Sequence, residues 1–228
     1  MSDDVSALKE GISLYKRGSY SSALAFFLSL PDDADADPVD IAYYLGLCYA
    51  KMKRYDDAML YLEQVVTAKA EQSEERVLQC RYLLAVIYCL SGRRKLADFE
   101  LKKLLETGYS QAEVYSSLAY ISWENSDVDK SVEYYERALK VNAECPSALN
   151  GLGYVLASSG RELTRALGLC KKAVDIQGNS AACIDSLGYV YLRMGLFNEA
   201  RKHFLKALEI DSGNKIIEGH LMEAEKGE

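Results

Sequence analysis

The sequence predicts an all-α protein built as a series of about six helix hairpins, and three observations predict it. Small residues recur at Gly11, Gly46, Ala85, Ala119, Gly153 and Gly188, at intervals of 35, 39, 34, 34 and 35 residues. A second small residue follows each by 12 or 13 positions, at Ala23, Ala58, Ala97, Ser131, Ala166 and Ala200. Apolar residues then hold helical spacing, with Phe27, Leu62, Leu101, Tyr135, Cys170 and Phe204 about one turn past the second small site. A fixed period of this length marks one supersecondary unit used repeatedly. Two antiparallel helices approach closely only where both lack bulk, so two small sites per period imply a first helix, a short turn and a second helix.

Each hairpin can be placed in turn. The first spans 4–37 and the second 39–72, with Gly18 and Lys53 at their turns, seven residues after the first small site. Tyr20 and Tyr55 follow as apolar pegs that start the second helices. The third spans 78–111 and turns at Gly92. The chain between the second and third is longer by five residues, and no Pro or Gly interrupts Asp56 to Ser91. The added residues are expected to lengthen the flanking helices, with a new N-terminus at Ser73, Glu74 and Glu75. Hairpins four to six span 112–145, 146–180 and 181–214, turning at Ser126, Gly160 and Gly195, with Phe197 as the last peg. Glycine suits these turns because a helix that must stop and reverse gains from a positive φ. Residues 215–226 form a last amphipathic helix whose Ile216, Ile217 and Leu221 are expected to cover the open end of the sixth hairpin. The whole chain, 1–228, reads as a single domain.

The sixth unit carries the strongest family signature. Ile184-Asp-Ser-Leu-Gly-Tyr-Val-Tyr191, followed by Gly195, Phe197, Ala200, Phe204 and Ala207, resembles the tetratricopeptide repeat, W-x2-L-G-x2-Y-x8-A-x3-F-x2-A-x4-P, and the resemblance extends over residues 4–214. The third small position holds Ala138, Ala173 and Ala207 late in the chain but Leu30, Val65 and Leu104 early, and the closing proline is missing from its place. The resemblance implies a right-handed α-solenoid whose first helices line a concave groove, and a non-enzymatic role in protein–protein interaction.

Counted from each first small residue, the groove positions implied by the family are Leu8 and Ile12, Tyr43 and Leu47, Tyr82 and Val86, Ser116 and Tyr120, Asn150 and Tyr154, Asp185 and Tyr189. Trp123, the only tryptophan, lies one turn beyond Tyr120, and Tyr15 holds the equivalent place in the first hairpin. Aromatic residues give large contact area at modest entropic cost, so this stripe is the candidate partner-binding surface. The other reading is that the rings fill space between successive first helices. Lys, Asn and Arg residues that would grip a C-terminal carboxylate are mostly missing, with Asn150, Arg193 and Lys51 the nearest. The expected partner is therefore a protein or peptide segment that is apolar or hydrogen-bonds to tyrosine. Self-association into a homo-oligomer through the groove or the solenoid ends is the alternative.

Other functions find little support. Lys and Arg number 27 against 34 Asp and Glu, a net charge of -7, and nucleic-acid surfaces are basic. Apolar runs such as Tyr82 to Tyr88 are too short to span a bilayer. Met1 to Asp4 reads as no secretory leader, which makes the cytoplasm the expected compartment, although an exported chain with its leader removed would read alike. Six cysteines, at 48, 80, 89, 145, 170 and 183, lack zinc-site spacing and read as reduced core thiols. Asp33, Asp35 and Asp37 alternate as calcium ligands would, but Pro38 and Tyr44 stand where an EF-hand loop needs Gly and Glu. His203 and His220 have no nucleophile or carboxylate at motif spacing, and no glycine-rich phosphate loop exists. No catalytic residue, metal or cofactor is expected.

Overall fold

In a computed structural model of the chain, residues 6–31, 36–68, 74–109 and 111–227 are described. Among them are thirteen helices and no strand. The chain divides into two compact units, residues 1–109 and 110–228.

The first unit holds three hairpins: α1 (Ser6–Lys16) with α2 (Tyr20–Leu28), α3 (Pro38–Lys51) with α4 (Tyr55–Thr67), and α5 (Glu74–Leu90) with α6 (Arg94–Glu106). The small sites act as their spacing requires, since Ala23, Ala58, Ala85 and Ala97 are all 0% exposed. Leu62, Val65, Leu101 and Leu104 fill the space between helices, also at 0%, each contributing roughly 1.5–3 kcal/mol through burial. Neighbouring hairpins are tied by side-chain pairs. Arg76 pairs with Asp40, Arg93 Nη2 lies 3.1 Å from Asp56, and the Tyr88 hydroxyl donates to Glu63 Oε1 at 2.6 Å.

The added residues between hairpins two and three do lengthen a helix. At 17 residues α5 exceeds the other first helices, which run from 11 to 14. Ser73 lies outside the described residues, and so do Asp33 and Asp35. Asp37 caps α3, its carboxylate accepting from the Val39 amide at 2.9 Å, and Pro38 occupies the first turn, where its missing N–H costs nothing.

The second unit repeats the plan with α7 (Ala112–Glu124) and α8 (Val128–Val141), α9 (Pro146–Ser158) and α10 (Leu163–Ile176), α11 (Ala181–Arg193) and α12 (Phe197–Ile210), followed by α13 (Lys215–Lys226). The first helices α7, α9 and α11 adjoin one another in sequence, and α13 adjoins α11 and α12. Ala119, Leu152, Ala166, Cys170 and Ala138 lie in one core cluster, and Ile184, Ala200, Phe204 and Ala207 in the next. A Cβ placed at Gly153 would collide with Cys170 Sγ and stand 3.1 Å from the Ala166 carbonyl oxygen. The first small site therefore marks where two backbones meet.

Every first-to-second-helix turn passes through left-handed backbone. Gly18, Gly92, Gly160 and Gly195 have φ of +79°, +72°, +68° and +74°, while Lys53 and Ser126 hold +59° and +62° at the same register. In α13, Ile217 is buried and Leu221 packs against the last core cluster as expected. Ile216, in contrast, is 67% exposed and covers nothing, because it lies about a third of a turn from Ile217 and α13 presents only one stripe to α12.

Candidate aromatic face on the first helices

In the second unit the first helices bring one ring each into a continuous row. Trp123 on α7 meets Tyr154 on α9 edge-on, with ring centroids 6.1 Å apart and an interplanar angle of 88°. Tyr154 meets Tyr189 on α11 at 5.1 Å, and Tyr189 meets His220 on α13 at 4.8 Å. These separations fall in the range where offset and edge-to-face rings attract. Tyr154 and Tyr189 hold one register, each following a close-approach glycine, Gly153 and Gly188, whereas Trp123 reaches Tyr154 from one turn beyond its own register equivalent, Tyr120. Trp123, Tyr154 and Tyr189 are half-buried, and Tyr120, one turn before Trp123, is 46% exposed.

Polar groups border the row. Asp185, 8% exposed, accepts a hydrogen bond from His220 Nδ1 at 2.9 Å, so the carboxylate expected on the groove surface is buried and ties α13 to α11. Asn150 is half-buried, and its Oδ1 is enclosed without a hydrogen-bond partner among the described residues. Arg193 is exposed at the C-terminal end of α11, where a cation complements the helix dipole. The Tyr154 phenol is held above its ordinary pKa of 10.0, first by burial and then by the Tyr189, Asp185 and Glu124 side chains, with the Ser158 hydroxyl acting the other way.

The remaining expected residues lie in the first unit. Tyr43 packs against Tyr44 at 5.1 Å, lies under the Arg76 guanidinium at 5.2 Å, and donates its hydroxyl to Gln79 Oε1 at 3.3 Å. Leu47, Tyr82 and Val86 are half-buried on α3 and α5. Tyr15 contacts Tyr20 and Tyr44 and so belongs to a local aromatic cluster.

His220 is the residue that motif reasoning passed over. Its partner Asp185 is 35 residues away, one repeat period, so the pair was visible only as a period-spaced contact. His203 instead donates to the Glu199 carbonyl of its own helix. Cys48, Cys80, Cys145, Cys170 and Cys183 are buried and Cys89 half-buried. Burial pushes the Cys48 and Cys89 thiols up to about 11 and those of Cys80 and Cys170 to about 12, the behaviour of packed thiols, not of reactive ones. Among the described residues no helix is long and apolar enough to cross a membrane, and no group of three or more His, Cys, Asp or Glu is placed to hold a metal ion.

Stacked helix hairpins with an aromatic first-helix face define an α-helical repeat protein of the interaction-module class. The chain belongs to the tetratricopeptide repeat family, matching it over residues 8–73 and 117–181 with one family model and over 181–214 with a second. Proteins of this family generally mediate protein–protein interactions. The chain is 21% identical over 194 residues to human protein O-mannosyl-transferase TMTC1, an alignment that takes in 84% of this chain and 21% of that protein. It thus spans about a fifth of that relative's length. Among solved structures, the APC/C hetero-tetramer Cut9-Hcn1 superposes with a TM-score of 0.79 at 16% identity, covering 97% of this chain and 42% of that one. YrrB, described as a TPR protein with an unusual peptide-binding site, has a TM-score of 0.54 at 16% identity, covering 82% and 91%. At those identities the likeness concerns the fold.

Proposed function

We propose that the protein is a non-enzymatic scaffold that receives a peptide or protein segment on the aromatic face of its first helices, with Tyr120, Trp123, Tyr154 and Tyr189 as the principal anchors. The observation that carries this reading is the accessibility of the row. Rings that served only as packing would be enclosed between α7, α9 and α11, whereas Tyr120 is 46% exposed and Trp123, Tyr154 and Tyr189 are half-buried. Aromatic anchors of this kind dominate interface energetics because they bury much area and lose few rotamers. A neighbour in fold that is described as peptide-binding, YrrB, adds support at the level of the architecture. Tyr43, Leu47, Tyr82 and Val86 are proposed as the corresponding contacts of the first unit.

The test uses peptides selected from a random library on the full chain and titrated by Trp123 fluorescence. Tyr154→Ala and Tyr189→Ala should each weaken binding by about 2 kcal/mol or more while the helical circular-dichroism signal stays unchanged. Unaltered affinity across the Tyr120, Tyr154 and Tyr189 variants would defeat the proposal.

A further inference from the structure

All six hairpins turn at one register, so the seven positions that open five residues after each first small site compare like with like. In the first hairpin this window, 16–22, holds Lys16 and Arg17 and no acid. In the second, 51–57, Lys51, Lys53 and Arg54 outnumber Asp56 and Asp57. In the third, 90–96, Arg93, Arg94 and Lys95 stand without an acid. The three windows of the second unit, 124–130, 158–164 and 193–199, hold three cations against five acids. A chain of net charge -7 thus carries eight cations to two acids along the turns of its first unit alone.

Ion pairing removes only part of that excess. Arg54 pairs with Asp57 and Arg93 with Asp56, which neutralises the hollow between the second and third turns. Lys16, Arg17, Lys51, Lys53 and Lys95 are exposed and have no ion-pair partner among the described residues. Helix stability accounts for Lys16 and Lys51, which end α1 and α3 where a cation complements the dipole. It does not account for Lys95, which lies in the first turn of α6, a turn without an acid, at the pole where a cation is disfavoured.

The third turn also exposes aliphatic side chains. Leu90, the last residue of α5, is 61% exposed, and Leu96, in the first turn of α6, 47%. At the register of Leu90 the other five hairpins hold Lys16, Lys51, Glu124, Ser158 and Arg193. At that of Leu96 they hold Ser22, Asp57, Lys130, Thr164 and Glu199, so both leucines replace a residue that is polar in every other copy. Phe99, also exposed, continues the outward stripe one turn beyond Leu96. A Cβ added at Gly18 or Gly92 meets nothing within 4 Å, so these turns project as tips and enclose no groove.

We propose that the turn edge of the first unit docks on an anionic lipid bilayer, its cations against the headgroups and Leu90 and Leu96 set into the acyl boundary. A flat surface that is negative outside and apolar beneath meets projecting cations and exposed leucines together, whereas an acidic polypeptide needs a groove that the tips do not provide. Each Lys or Arg held near such a surface strengthens binding by about five-fold, and apolar side chains that enter the boundary add to it. The acid excess elsewhere in the chain is screened beyond roughly 8 Å at physiological salt, so the edge in contact decides the outcome. This docking is independent of the aromatic row, which belongs to the second unit.

Co-sedimentation of the full chain with vesicles of phosphatidylcholine alone, or of phosphatidylcholine with about 30% phosphatidylserine, tests the proposal. The chain should pellet with the anionic vesicles only, and its affinity should fall about ten-fold between roughly 0.1 and 0.5 M salt. Lys53→Gln combined with Lys95→Gln should weaken binding by about twenty-fold, and Leu90→Ser by about five-fold. Lys206→Gln, on α12, should leave it unchanged. In a Trp123→Phe background, Leu90→Trp should give emission that shifts to the blue on anionic vesicles. Failure to pellet, pelleting that survives the double lysine variant, or Leu90→Trp emission that stays unshifted on bound protein would overturn the docking edge. Equal binding to neutral vesicles would overturn the charge argument. Binding of polyglutamate in place of vesicles would assign the edge to an acidic polypeptide and overturn the lipid. Peptides selected on the aromatic face and titrated without vesicles report on that face separately, so the two proposals fail independently.

Discussion

At Ser126 the backbone takes φ +62°, a conformation that four of the six equivalent turns assign to glycine. An L-residue there carries about 1–2 kcal/mol of steric cost that glycine avoids, against a smaller entropic loss in the unfolded chain. Ser126→Gly is therefore expected to raise stability by about 0.5–1 kcal/mol, read as a higher urea midpoint with an unchanged slope. Ser131 offers a second case. Its hydroxyl is fully buried at a close helix contact and has no hydrogen-bond partner among the described residues. Ser131→Ala removes that enclosed group and restores the residue found at the other five second sites, so it should stabilise by about 1 kcal/mol in the same measurement. Both positions were legible in the sequence because a repeat supplies its own comparison, in which one register position is seen six times.

At the scale of the helix, two glycines of one hairpin separate close packing from free surface. Gly153 of α9 faces the Ala166 carbonyl at a distance its own backbone cannot yield, whereas Gly168 on α10 has nothing within 4 Å of an added Cβ. Gly153→Ala should destabilise by about 1–3 kcal/mol, and Gly168→Ala should stabilise by about 1 kcal/mol through helix propensity alone. Thermal unfolding of the two variants checks the opposite signs. The hairpins, their turns and the lengthened α5 were all readable because backbone packing depends on small residues at fixed spacing. Side-chain pairings were not. Asp185 reads from its register as a surface residue, yet it is 8% exposed and bonded to His220, and Ile216 reads as part of an apolar stripe from which α13's rotation excludes it. Register tells which face of a helix a residue occupies; what stands opposite depends on the neighbouring helix, which the local pattern does not contain.

For the molecule as a whole, the buried thiols set an alkaline limit. Cys48 and Cys89 titrate in the folded chain at about 11 and Cys80 and Cys170 at about 12, against an ordinary 9.0. Folded values above unfolded ones mean that the native state keeps protons the unfolded chain has released. Stability is therefore complete below the ordinary thiol range and declines as pH rises through it toward 11 to 12. Urea unfolding at neutral pH and at about pH 10 should show a lower midpoint in the alkaline sample, and replacing Cys80 and Cys170 by Ala should lessen the difference even though the variant is less stable overall.

The row of rings across the second unit ends on a helix that belongs to no hairpin, since His220 comes from α13 and is fastened by Asp185. The span of the proposed recognition surface is thus set separately from the number of repeats. Exchanging twelve residues of sequence at α13 could add or subtract one contact point for a ligand while every hairpin before it keeps its shape.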